Sequence, residues 1–69
     1  MNQGDTVIYS QRHFEWLEAA GKWPKHMPRK LRRGTVIHER SEYSPFRDTV
    51  QVMWPERVAW HLKDNLELL

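Results

Sequence analysis

Hydrophobic and polar positions alternate with a period of two along two stretches in the second half of the chain. In TVQVMW, residues 49–54, Val50, Val52 and Trp54 alternate with Thr49, Gln51 and Met53; in VAWHL, residues 58–62, Val58, Trp60 and Leu62 repeat the pattern. That period marks strands with one buried face. The three residues Pro55, Glu56 and Arg57 between them predict an antiparallel hairpin. Residues 4–10, GDTVIYS, open on a Gly-Asp turn signal and continue in β-branched and aromatic types, which predicts a first strand. LRRGTVIHE, from Leu31, predicts a second strand, and LELL after the turn KDN a fifth, with Leu66 and Leu68 on one face.

One stretch carries the helical period. In SQRHFEWLEAAG, Ser10 is placed to cap, Phe14, Leu17 and Ala20 recur every three residues, and Gly21 stands where a helix ends, so a helix is expected over about residues 11–20. Alone it is too short to persist in water, so its Phe14 and Leu17 face must dock on the sheet. Pro24 and Pro28 then interrupt regular structure, making residues 22–33 a loop. RSEYSPFR, residues 40–47, is a second loop around Pro45, whose Tyr43 and Phe46 either cover one end of the core or face a partner.

Five short strands with a helix inserted after the first describe a mainly β fold, a single domain over residues 1–69. A small barrel of about five antiparallel strands is the most economical closure. The alternative is an open twisted sheet with the helix across one face, whose two edges can pair between chains to give a weak homodimer instead of a monomer. The expected core is Val7, Tyr9, Phe14, Leu17, Val36, Val50, Val52, Trp60, Leu62, Leu66 and Leu68.

Composition narrows the classes. A chain of 69 residues buries only about 60% of its unfolded surface, and with no cysteine it has neither disulfides nor thiolate metal ligands to compensate. Four Trp, two Tyr and two Phe supply the bulk instead. No apolar run reaches the roughly 18 residues of a membrane span, and MNQGDTV lacks a secretion-signal layout, so a soluble, cytoplasmic protein without membrane contact is expected. The net charge is only +2, yet KWPKHMPRKLRR, residues 22–33, holds six of the eleven Lys and Arg and no acid. It is either a solvated loop or a patch that draws an anionic partner.

The GD-x-V opening, RRGTVI after the basic stretch, VQVMW, and the closing HLKDNLEL resemble the small SH3-like barrels, KOW-type modules included, and especially the uncharacterised SH3-like proteins of phages and prophages. The resemblance spans nearly the whole chain and implies an SH3-like barrel, with the helix and basic segment in the long loop after strand one that such domains commonly use for binding. A phage origin would suit interference with a host factor. PERV stands where these proteins often have an Asp-Gly turn, so the length of the hairpin stays open.

Catalysis is not expected. No thiol exists, the three glycines are isolated, and His13, His26, His38 and His61 are widely spaced with no zinc-type pairing to carboxylates, so no catalytic residue, metal ligand or cofactor is expected. A non-catalytic binding module is the expected function, working through Lys22, Trp23, Lys25, Arg29, Lys30, Arg32 and Arg33. If the partner is nucleic acid, the cations contact phosphates and Trp23 stacks on an unpaired base. If it is an acidic protein surface, as for an adaptor or inhibitor, the Trp and Arg content suits an interface. Packing of Trp23 into the core remains open beside both.

Overall fold

The computed structural model describes residues 1–40, 45 and 48–69, so Tyr43 and Phe46 lie outside the described residues. The chain runs β1 (Thr6–Tyr9), α1 (Gln11–Ala19), a 3-10 turn (Arg29–Leu31), β2 (Gly34–Glu39), β3 (Thr49–Met53), β4 (Val58–Leu62), a second 3-10 turn (Lys63–Asn65) and β5 (Leu66–Leu68). All strand pairings are antiparallel, in the order β4-β3-β2-β1-β5. Among the described residues no helix is long and apolar enough to cross a membrane.

The helix forms for the reasons its sequence carries. The Ser10 Oγ accepts the His13 N–H at 3.3 Å, satisfying one orphan donor of the first turn. At the other end Gly21 has φ 69°, the left-handed conformation that stops the helix with little steric cost. Phe14 and Leu17 pack on the core as expected. In the basic segment, expected to be loop throughout, the chain tightens into one 3-10 turn immediately after Pro28.

The sheet does not close into the expected barrel. The three residues of β5 pair only with β1, and β5 follows β4 through the second 3-10 turn without hydrogen bonding to it, which leaves β4 and β5 as edges among the described residues.

The core holds Val7, Tyr9, Val36, Val50, Val52 and Leu66, as expected, with Trp23 and Trp54 added. Ile8, on the other face of β1, is buried as well. Trp60, Leu62 and Leu68 are corrections: all three are exposed, Trp60 at 38%. The cause for β4 is the turn. The Trp54 N–H donates to the Arg57 carbonyl at 2.8 Å and Met53 pairs with Val58, so the hairpin closes around Pro55 and Glu56 alone. Val52 therefore lies opposite Ala59 and Val50 opposite His61. A three-residue connection would have put Trp60 and Leu62 beside the core valines; with one residue fewer, every β4 side chain changes face. Ala59 and His61 are the inward pair, and the space they leave is filled by Trp54, 2% exposed. Leu68 pairs with the buried Val7 but stands at the end of the edge strand β5, where no further strand flanks it among the described residues.

Candidate binding surfaces

The basic segment divides. Trp23, a candidate stacking face or core residue, takes the second role: it is packed in the core at 9% exposure, with its indole Nε1–H donating to the Met27 carbonyl at 2.8 Å and the Phe14 ring meeting it edge-on at 4.9 Å. A large aromatic surface is costly to leave in water, and this fold has a place for it between helix and sheet. Arg29 is also committed: its Nη1 donates to the Tyr9 carbonyl and to Glu67 Oε1, both at 2.8 Å, fastening the segment to β1 and β5. Arg32 is paired with both oxygens of Glu56. Two of the six cations are thus neutralised by the chain's own acids. Lys22, Lys25, Lys30 and Arg33 are exposed, and no ion pair joins them to an acid among the described residues. Lys22 sits over the Trp16 ring at 5.4 Å and Arg33 Nε donates to the Lys30 carbonyl at 3.1 Å.

Arg32 stands on an aromatic wall. Its guanidinium lies 5.0 Å from the Trp54 ring centroid and 5.8 Å from that of Tyr9, whose rings are themselves 4.7 Å apart. Pairing with Glu56 is the main cause that raises the Arg32 pKa, burial opposes it, and the Tyr9 phenol adds a lesser rise; Arg32 in turn holds the Glu56 carboxyl below its ordinary value. Behind them, Trp54 Nε1–H donates to His61 Nε2 at 2.8 Å, a bond that needs a neutral imidazole. Burial, aided by the nearby Arg57 charge, lowers the His61 pKa to about 4. A cleft of about 330 Å³ opens here, lined by Tyr9, Lys22, Trp23, Arg32, Glu56 and Arg57 among others. A second cleft, of about 360 Å³, lies over α1 between Arg12, His13, Trp16 and Asn65. Both reach the size of small-molecule sites.

The histidines are dispersed. His13 stacks on Trp16 and meets Tyr9 edge-on, His38 meets Trp60 edge-on, His61 accepts from Trp54, and His26 is exposed with φ 65°. No group of three His, Asp or Glu placed to hold a metal occurs among the described residues.

The other face of the β3–β4 hairpin went unrecognised in the sequence. Met53, Val58, Trp60 and Leu62 form an exposed apolar row, and the Arg40 guanidinium covers the Trp60 ring at 3.9 Å. The row borders the open edge of β4. The bonds Trp54 N–H to Arg57 O and Lys63 N–H to Asp48 O mark the two ends of the ladder as hydrogen-bonded pairs. By antiparallel alternation the N–H and C=O groups of Val58, Trp60 and Leu62 point away from β3. Proline, lysine and bulges, the usual devices that blunt an edge, are all missing from VAWHL. The signal was the period-2 apolar pattern itself, assigned to the wrong side.

No protein-family model, no curated protein and no solved structure matches the chain.

Proposed function

We propose that the chain is a non-catalytic protein-binding module that takes an extended segment of its partner along the open edge of β4. The observation that carries this reading is the coincidence, among the described residues, of outward-pointing backbone groups that meet no second strand with exposed apolar side chains at Val58, Trp60 and Leu62. Strand addition uses both: the backbone supplies affinity and alternate side chains supply selectivity. The partner is another protein and not a second copy. Two antiparallel β4 strands centred on Trp60 would set Arg57 against Lys63 and Glu56 against Asp64, like charges on both flanks. The non-catalytic part rests on the histidines, three of which are engaged in aromatic packing. We also read the fold as a relative of the SH3-like modules, supported by the position of the helix and basic segment between β1 and β2.

Capture from a lysate of the source cells tests the reading when run with three proteins: wild type, Trp60→Glu, and the triple variant Lys25→Glu, Lys30→Glu, Arg33→Glu. A partner retained by wild type and by the triple variant but lost with Trp60→Glu supports it. A partner lost only with the triple variant refutes it.

A second reading, nucleic acid bound by the basic segment, is favoured by the exposure of Lys22, Lys25, Lys30 and Arg33. With four cations available, log K for duplex DNA would fall with log salt at a slope near −3.6, from about −0.9 per phosphate contact. No retention on DNA or RNA at low salt would eliminate it.

A further inference from the structure

The Arg32–Glu56 pair is lopsided. The arginine side chain is 19% exposed and fixed against Tyr9 and Trp54, whereas the glutamate side chain is 49% exposed and hangs from the tip of the Pro55–Glu56 turn. The cation is part of the wall, and the acid is a side chain that can swing away. Both terminal nitrogens of Arg32 meet both Glu56 oxygens, the bidentate arrangement that a planar guanidinium offers any carboxylate. Lys22 and Arg57 line the same cleft, so its charge without Glu56 is wholly positive, while Tyr9, Leu17, Trp23 and Pro24 give it apolar walls.

We propose that this cleft is a binding site for a carboxylate carried on an apolar body, and that Glu56 is its built-in competitor, occupying Arg32 until a ligand carboxylate displaces it. The site goes beyond the strand-addition reading and does not depend on it, since the cleft lies on the face of the sheet that carries Trp54 and Tyr9, opposite the Trp60 row. Two sources offer such a group: a free aromatic acid, or the chain terminus of a peptide ending in an apolar residue.

The test is titration of the ¹⁵N-labelled full chain, followed by amide and indole shifts, with N-acetyl-phenylalanine, its amide, a five-residue peptide ending in Phe with a free carboxylate, the same peptide amidated, and inorganic phosphate. The acids should shift the Trp23, Arg32 and Glu56 signals and the amides should not. The peptide acid binding more tightly than N-acetyl-phenylalanine identifies a chain terminus as the ligand; equal affinities identify the free acid. Glu56→Gln should tighten binding about fivefold, the upper worth of a half-exposed ion pair. Arg32→Lys, checked for folding by its dispersed spectrum, should weaken it about tenfold or more, because an ammonium cannot pair bidentately. If Glu56 were only a structural partner, Glu56→Gln would lower the melting temperature and leave affinity unchanged, which overturns the proposal. Equal binding of acids and amides, no binding of either, or phosphate binding more tightly than the acids overturns it too.

Discussion

Replacing Gly34 by Ala tests how closely β2 approaches the tryptophan that fills the core. Gly34 is buried opposite Val7, and its φ is not in the left-handed region, so the substitution brings no backbone strain. A Cβ there would overlap Val52 Cγ1 and stand 2.8 Å from Trp54 Cε3 and 3.0 Å from Cζ3. Neither neighbour is the free end of a flexible chain; both side chains are held in the core. Overpacking of this kind costs about 1–3 kcal/mol. The loss of a glycine from the unfolded chain returns about 0.4–1 kcal/mol. The net loss is about 1–2 kcal/mol, which in a domain of this size lowers the melting temperature by about 4–8 °C per kcal/mol. Thermal and urea unfolding followed by circular dichroism measure it. Because the overlap is with a named methyl, the cost of Gly34→Ala should shrink in a Val52→Ala background. An unchanged or raised melting temperature, or strict additivity in the double variant, would refute the packing described.

Trp54→Ala should cost about 3–5 kcal/mol, a large share of a total stability of about 3–10 kcal/mol, whereas Trp60→Ala should cost about 1 kcal/mol from its lost contact with Arg40; urea unfolding of the two variants reads the difference. Stability should fall as pH drops from 6.5 towards 4: the folded His61 pKa is depressed, so its contribution is present above the unfolded value and is lost as the folded one is approached. His61→Gln, which keeps an acceptor for Trp54 and cannot titrate, should flatten that part of the profile, and an unchanged profile would show that His61 is not its cause.

The helix was legible because its signals are local: Ser10, the Phe14 and Leu17 spacing and Gly21 act within a few residues of one another. Val50 and Val52 were equally plain, since alternation reports two faces whatever the partner strand does. Which face of β4 turned inward was not legible from β4 itself. It depended on whether two or three residues form the turn, and Pro55, Glu56 and Arg57 do not announce which; the single residue of difference moved Trp60 from the expected core to the surface and brought His61 inside. The charge of residues 22–33 was visible, but its division was not, because the acids that neutralise Arg29 and Arg32 are 38 and 24 residues away. Trp23 illustrates the same limit: nothing beside it in the chain distinguishes a tryptophan held over Met27 and Phe14 from one offered to a base.

Leu62→Pro is the most direct measurement of the central claim, that the free edge of β4 is the binding surface. Leu62 already has φ −66° and its N–H points away from β3, so proline fits the backbone, removing an outward donor and one exposed apolar side chain of the row. The account predicts a variant that folds, melts within a few degrees of wild type and no longer captures the partner that wild type captures. A folded Leu62→Pro protein that retains the partner at the wild-type level would contradict it.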